Sequence, residues 1–157
     1  AERLDLLGRD RRDRNRAVEL PLVAARCGND DIVERAEVLQ QALARAGYEV
    51  IAYMPSTYDL HRQVEALKPD IVIIDTDSPD RDTLENLCVV TRDNPRPVVM
   101  FTHDGDNDKI RAATEAGVSA YVVDGMDGTR IGPIINAAVA RFEQFHALRF
   151  HVVHKSV

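Results

Sequence analysis

Lysine is scarce in this chain, which limits where a flexible positive side chain can act. Lysines stand only at positions 68, 109 and 155, and arginines make up the rest of the 20 basic residues. The formal net charge of -6 argues against nucleic-acid binding by a broad basic surface. Aromatic residues make up only 5% of the chain, so its core must be built from Val, Ile, Leu and Ala.

Long apolar runs and cysteine clusters are also missing. No run approaches the ~20 residues that span a bilayer, and the charged N-terminal residues are not followed by the apolar region of a signal peptide. Cys27 and Cys88 are isolated and lack the spacing of metal ligands. We therefore expect a soluble, cytoplasmic protein with reduced thiols and no membrane contact.

The length of 157 residues fits a single domain. Charged residues dominate the first part of the chain, so we expect a flexible arm or a cloning remnant over residues 1–16. One domain with an extended last helix should follow over residues 17–148, and a tail over residues 149–157.

Strand and helix signals alternate along this domain. The pattern predicts strands at residues 21–26, 48–53, 70–75, 97–102 and 119–123. It predicts helices at residues 32–46, 59–67, 81–90 and 106–116, and a last helix from about residue 129 to beyond 148. Five strands alternating with five helices indicate an α/β fold, in which helices cover both faces of a parallel sheet.

The third predicted strand ends in a carboxylate. Residues 71–74 are all Ile or Val, and Asp75 follows them directly. This pattern is typical of a strand that is buried on both faces and ends at the carboxyl edge of the sheet, where ligands bind. An aspartate at that edge can act as a nucleophile toward a phosphoryl group or as a metal ligand.

Other oxygen-bearing side chains should reach the same edge. Asp30 and Asp31 follow the first predicted strand, and Thr102 ends the fourth. Carboxylates that converge there repel one another unless a cation lies among them, and Mg²⁺ prefers oxygen ligands of this kind. Helix capping is the alternative interpretation, but it explains Asp31 better than Asp75 or Thr102.

The last predicted helix carries an apolar stripe. Ile135, Ala138, Phe142 and Phe145 are spaced three and four residues apart. The early part of this stripe should belong to the domain core. Beyond about Phe142 a single domain offers less surface to pack on, so we expect this helix to pair two chains.

In order and spacing, the residues at the predicted edge resemble the receiver domain of two-component response regulators. The resemblance covers about residues 20–140. It implies a flavodoxin-like, doubly wound parallel sheet with strand order 2-1-3-4-5, a histidine kinase or sensor protein as partner, and no enzymatic role. The residues that carry it are Asp30, Asp31, Asp75, Pro79, Thr102 and Tyr121.

The resemblance also implies a role for individual residues. Asp75 would be the phosphoacceptor, and Thr102 and Tyr121 would form the switch pair that responds to it. Mg²⁺ would be the cofactor, with Asp77 contributing its backbone carbonyl oxygen. The implied metal residues are Asp30, Asp31, Asp75 and Asp77.

Three segments look more specifically like the receivers of nitrate-responsive, ANTAR-type transcription antiterminators. They are residues 73–82, 96–102 and 117–123. In those proteins the last helix extends into a coiled coil and then a small RNA-binding domain. Residues 151–157 do not resemble that continuation, so we expect this chain to bind no nucleic acid itself and to act through dimerisation or docking.

Two positions depart from the receiver pattern. Receivers normally place a lysine three residues after the switch aromatic, where its ammonium pairs with the phosphoryl group, but Asp124 stands there in this chain. Replacing a cation with an anion beside a phosphoryl group reverses a term of about 1–4 kcal/mol, although the antiterminator branch also carries an acid at this place. Arg26 is the second departure, because a central strand should be apolar there.

Two alternative functions stay open on this sequence. The departure at Asp124 favours a pseudo-receiver that is never phosphorylated and serves as an interaction module. The sequence from Asp75 to Asp77 and the later Thr102 also resemble motifs of haloacid-dehalogenase-like phosphohydrolases. That family normally carries its aspartate pair on the first strand rather than the third.

Overall fold

The structure is a computed structural model. It describes the backbone of residues 20–27, 32–54, 57–125 and 127–155, and side chains from residue 37 to residue 145 within these ranges, Tyr53 excepted. The predicted metal residues Asp30 and Asp31 lie outside the described residues, as does the predicted arm over residues 1–16.

Within the described residues, five strands and five helices alternate, as the sequence predicts. The strands are β1 (Leu20–Cys27), β2 (Tyr48–Met54), β3 (Ile71–Thr76), β4 (Val98–Thr102) and β5 (Ala120–Val123). The helices are α1 (Ile32–Arg45), α2 (Leu60–Leu67), α3 (Arg81–Asp93), α4 (Asn107–Glu115) and α5 (Ile131–Lys155). Most boundaries differ from the predicted ones by one or two residues, the range within which assigned element ends commonly vary, and the end of α3 differs by three.

The strands form one parallel sheet in the order β2-β1-β3-β4-β5. This order confirms the predicted flavodoxin-like fold. Because β1, β3 and β4 are neighbours in the middle of the sheet, their carboxyl ends meet at one edge. The register places Asp75 of β3 beside Arg26 of β1 on one side and beside Phe101 of β4 on the other.

The two faces of the sheet hold separate apolar clusters, and alternate residues of β3 enter each one. Val72 and Ile74 pack with residues of α2, α3 and α4. Ile71 and Ile73 pack on the other face with residues of α1 and α5. All four side chains are buried, which explains why this strand has no polar alternation in its sequence.

Helix α4 ends at a glycine whose conformation and surroundings both exclude a side chain. Gly117 has φ +105°, a left-handed conformation that L-residues rarely adopt. A Cβ atom there would lie 2.6 Å from Cγ2 of Thr91 on α3. The Thr91 hydroxyl in turn donates a hydrogen bond of 2.7 Å to the carbonyl of Ala116, so this turn is held against α3.

The last helix, α5, extends beyond the part that packs on the sheet. It begins at Ile131, two residues after the predicted start, and runs to Lys155, so it includes most of the predicted tail over residues 149–157. Ile135 and Ala138 are buried against the sheet, whereas the Phe145 side chain is 55% exposed. Within the part of the chain that the structure describes, no helix is long and apolar enough to cross a membrane.

Candidate functional site

Asp75 lies one residue before the end of the central strand β3. Its side chain is partly buried, and the next residue, Thr76, is buried. The predicted placement at the carboxyl edge is therefore confirmed, with β3 continuing one residue further than expected. Pairing with β1 and β4 on both sides fixes the backbone of Asp75, so its carboxylate starts from a rigid position.

Thr102 ends β4 and is tied to the loop that follows β3. Its side chain is buried, and its hydroxyl donates a hydrogen bond of 2.9 Å to the carbonyl oxygen of Asp77. The same hydroxyl accepts a hydrogen bond of 3.1 Å from the backbone N–H of Asp104. Thr102 therefore fixes two loops at the edge of the sheet at the same time.

The carbonyl oxygen of Asp77 receives a second hydrogen bond, from the backbone N–H of His103 at 3.2 Å. A carbonyl oxygen has two lone pairs, and both are engaged in this geometry. A metal ion could bind this oxygen only if Thr102 or His103 released it. Among the described residues there is no group of three or more His, Cys, Asp or Glu side chains that could hold a metal ion.

Tyr121 on β5 reaches the loop between β4 and α4. Its hydroxyl donates a hydrogen bond of 2.6 Å to the carbonyl oxygen of Asp104. Partial burial raises the pKa of Tyr121 above its ordinary value, while a hydrogen bond with Thr102 acts in the opposite direction. The structure thus brings Thr102 and Tyr121, the two predicted switch residues, to the same loop.

Asp124 directly follows β5 and adopts a left-handed backbone conformation with φ 53°. Aspartate tolerates this conformation better than most residues. Its N–H donates a hydrogen bond of 2.9 Å to the carbonyl of Thr102, and its exposed carboxylate lies 2.5 Å from Nδ1 of His103. The residue that replaces the expected lysine is therefore paired with an imidazole.

Sequence reasoning missed this pair, although a signal for it exists. In the parallel register Thr102 lies beside Val123, so the residues that follow them, His103 and Asp124, must be neighbours. The pairing of β4 with β5 is therefore sufficient to place the imidazole of His103 beside the carboxylate of Asp124. In the sequence, Asp124 stood out only as the replacement for a lysine, and nothing marked His103 as its partner.

A second cluster at the same edge involves Lys109 on the first turn of α4. Its ammonium forms an ion pair of 2.9 Å with the carboxylate of Asp104 and a hydrogen bond with the hydroxyl of Ser78. Ser78 donates a hydrogen bond of 2.7 Å to the same carboxylate. Lys109 and Ser78 were not predicted as site residues.

These contacts determine the charge of the cluster. Hydrogen bonds from Ser78, from the backbone N–H of Asp106 and from Lys109, in that order of importance, lower the pKa of Asp104 to about 2. Asp104 in turn raises the pKa of Lys109 above its ordinary value. Near neutral pH the cluster therefore holds one carboxylate and one ammonium.

Together, the fold and this edge define a doubly wound α/β protein that has its candidate ligand site at the carboxyl ends of β3 and β4. The family model described as the response regulator receiver domain matches residues 29–136. The chain belongs to this family of receiver domains of two-component response regulators. Receiver domains are signalling domains rather than enzymes, so the phosphohydrolase alternative is wrong at the level of the family.

Relatives with curated names support the same assignment. The chain is 30% identical over 114 residues to the transcriptional regulatory protein PdtaR of Mycobacterium tuberculosis, a match that covers 73% of this chain and 56% of PdtaR. It is 27% identical over 116 residues to the transcriptional regulatory protein AfsQ1 of Streptomyces coelicolor, covering 74% of this chain and 50% of AfsQ1. The chain thus spans only about half the length of these relatives.

Solved structures share the fold. A CheY-like receiver domain protein from Methanospirillum hungatei superimposes with a TM-score of 0.65 at 18% identity, covering 80% of this chain and 98% of that one. The signal receiver domain of the response regulator NarL from Mycobacterium tuberculosis gives a TM-score of 0.63 at 17% identity, covering 77% and 97%. At these identities the likeness concerns the fold alone.

Proposed function

We propose that this chain is the phosphorylatable receiver of an antiterminator-type response regulator, with Asp75 as the phosphoacceptor and a histidine kinase as the phosphoryl source. One observation carries the proposal. Asp75 lies at the carboxyl end of the central strand, and the buried hydroxyl of Thr102 lies at the end of the neighbouring strand. An acid and a hydroxyl on adjacent strand ends suit the attachment of a phosphoryl group and its recognition.

The phosphoryl-transfer step is a simple displacement. A carboxylate oxygen of Asp75 attacks phosphorus, a new P–O bond forms, and the bond from phosphorus to the donor breaks with both electrons leaving on the donor. With acetyl phosphate the leaving group is acetate. Because Asp75 attacks as a carboxylate, no base has to remove a proton from it. The rigid backbone of β3 holds the nucleophile in position for this step.

Mg²⁺ belongs to this proposal as a charge-neutralising ion. Receiver domains typically bind Mg²⁺ at an acidic pocket, and the acids that would hold it here are Asp75 and, from the segment outside the described residues, Asp30 and Asp31. The Asp77 carbonyl would join them only after its hydrogen bonds rearrange. Because Thr102 donates a hydrogen bond to this carbonyl oxygen, binding of Mg²⁺ to the oxygen and the position of Thr102 would depend on each other.

Thr102 gives the proposal a switching step. In this structure the Thr102 hydroxyl donates its hydrogen bond to the carbonyl oxygen of Asp77. A phosphoryl oxygen on Asp75 is charged and would be a stronger acceptor for the same proton. A change of acceptor would release the loop that follows β3 and pull on the loop that begins at His103. Tyr121, bonded to the carbonyl of Asp104 in that second loop, would respond to the movement.

The antiterminator assignment and the dimer are also part of the proposal. The similarity to PdtaR and the three segments noted in the sequence support the former. The length of α5 and the exposure of Phe145 support pairing of this helix with a second copy of the chain.

Intact-mass spectrometry after incubation with acetyl phosphate and Mg²⁺ tests the phosphoacceptor. We expect one phosphoryl adduct on the wild type, none on Asp75→Asn, and an unchanged adduct on Asp82→Asn, which removes an exposed acid from the first turn of α3. Absence of the adduct on the wild type would overturn the proposal.

The pseudo-receiver is the second candidate, and the pair formed by His103 and Asp124 favours it. The expected lysine is missing, and the acid in its place is engaged by an imidazole. If the wild type takes no phosphoryl group and binds no beryllofluoride, but still forms dimers through α5, the chain is a pseudo-receiver that acts as a docking module.

A further inference from the structure

The carboxyl edge is rich in negative charge. Asp75, Asp77, Asp104 and Asp124 all lie at the ends of β3, β4 and β5 or in the loops that follow them. A phosphoryl group on Asp75 would add to this charge, and an anion near other anions is unstable without a cation. The position after β5 offers no cation, because it is occupied by Asp124.

Lys109 brings an ammonium to this edge from a different element. It stands on the first turn of α4, yet it reaches across to the hydroxyl of Ser78 in the loop after β3. Ser78 follows Asp75 by three residues, and the intervening Asp77 is bonded to Thr102. The ammonium therefore contacts the loop that carries the phosphoacceptor strand into α3.

The contacts of Lys109 leave its ammonium able to move. The Lys109 side chain is 41% exposed, and its two partners, the carboxylate of Asp104 and the hydroxyl of Ser78, are half-buried. The four-carbon stem of lysine is flexible, so the ammonium can change partner without movement of the backbone of α4. A dianionic phosphoryl group is a stronger partner than the single carboxylate of Asp104.

Other basic residues near the edge are less well placed. Arg81 begins α3, but its guanidinium pairs with Glu85 on its own helix. Arg26 lies beside Asp75 in the register of β1, and its side chain is outside the described part of the structure. Lys68 follows α2 and precedes β3, which places it at the opposite edge of the sheet.

We propose that the ammonium of Lys109, supplied by α4, pairs with the phosphoryl group on Asp75 and takes over the role of the lysine missing after β5. The inference rests on the proposed function. It identifies a phosphoryl-binding residue on an element that the receiver pattern does not use for this purpose. In this structure the ammonium is paired with Asp104 and Ser78 instead, so Asp104 competes with the phosphoryl group for it.

Beryllofluoride binding in the presence of Mg²⁺, followed by NMR, tests the pairing, because this anion occupies the place of a phosphoryl group on an aspartate. Lys109→Gln should weaken binding about ten-fold, since a charge-assisted hydrogen bond is lost. Lys109→Arg should restore most of the affinity. Lys68→Gln, which removes a lysine from the opposite edge, should leave it unchanged.

Asp104→Asn separates a direct role of Lys109 from a structural one. If the ammonium binds the phosphoryl mimic, releasing it from Asp104 should keep the affinity at the wild-type level or increase it. An equal loss in Asp104→Asn and Lys109→Gln would show that the ion pair only holds the loops together, and would overturn the inference. If Lys109→Gln binds beryllofluoride as the wild type does and Arg26→Gln binds it more weakly, the inference is overturned in favour of Arg26 on β1.

Failure of this inference is distinct from failure of the proposed function. A wild type that binds no beryllofluoride contradicts both. If the wild type binds beryllofluoride and Lys109→Gln binds it equally tightly, only the role of Lys109 is contradicted.

Discussion

The hydroxyl of Thr102 donates a hydrogen bond of 2.9 Å to the carbonyl oxygen of Asp77, which joins the end of β4 to the loop after β3. The contact links two segments that are 25 residues apart in the chain. Because Thr102 is also buried, the bond holds the candidate site together in the absence of any phosphoryl group.

Replacing Thr102 with valine keeps the shape of the side chain but removes its hydroxyl. The N–H of Asp104 then loses its acceptor and the carbonyl of Asp77 loses one donor. We expect the free energy of unfolding to fall by about 1–3 kcal/mol, measured by urea denaturation. Thr102→Ser is the control, since it keeps the hydroxyl and should cost less; equal stability of the valine variant and the wild type would contradict this role.

Gly117→Ala should be more harmful than Gly47→Ala. Both glycines have positive φ, so both substitutions strain the backbone, but a Cβ at Gly117 meets Thr91 at 2.6 Å, whereas nothing lies within 4 Å of one at Gly47. We expect a loss of about 1–2 kcal/mol at position 47 and roughly 1–3 kcal/mol more at position 117. Thermal unfolding measures the difference, and equal losses would show that Thr91 moves aside freely.

Asp104 should make stability depend on pH in the acidic range. Its pKa of about 2 in the folded protein lies below the value of about 3.9 expected for an unfolded aspartate. Its contribution is therefore fully present above about pH 4 and is lost as the pH falls through 2. The difference in unfolding free energy between the wild type and Asp104→Asn should shrink over this window.

Ser78→Ala provides the control for that titration. Ser78 is the most important cause of the lowered pKa, so its removal should move the pKa of Asp104 upward, as followed by NMR of the carboxyl carbon. A pKa that does not move would assign the shift to Lys109 and the backbone instead.

Phe145 should contribute to a dimer. Its side chain is 55% exposed on α5, beyond the part of the helix that packs on the sheet. Phe145→Asp should shift the protein toward the monomer in light scattering across a concentration series, because a charge would be buried between helices. Tyr58→Asp changes another exposed aromatic, at 86%, and should leave the mass unchanged; a monomeric wild type at high concentration would contradict the dimer.

Much of the fold could be predicted from local sequence. The short run of β-branched residues from Ile71 to Ile74 predicts a central strand, because a strand that is covered on both faces buries consecutive side chains. Alternation of strands and helices then requires parallel crossovers, and the resemblance supplied the strand order. The placement of Asp75 and Thr102 at one edge follows from where their strands end.

The finer arrangement of the site could not be predicted in the same way. Ser78 and Lys109 are 31 residues apart, and His103 and Asp124 are 21 apart. Contacts over such separations depend on how loops leave neighbouring strands, and no local preference or periodicity encodes that. The roles of Asp30, Asp31 and Asp77 as metal ligands stay predictions.

The sequence by itself determined that a carboxylate stands at the end of a buried strand, because this follows from residue identity and strand pattern. Its resemblance to receiver domains added that Asp124 stands where those domains normally have a lysine. Only the tertiary structure decided what these acids contact. Parallel pairing of β4 with β5 set His103 against Asp124, and the packing of α4 on the sheet brought Lys109 to Ser78. The charge around Asp75 is therefore a property of the assembled edge rather than of any one segment.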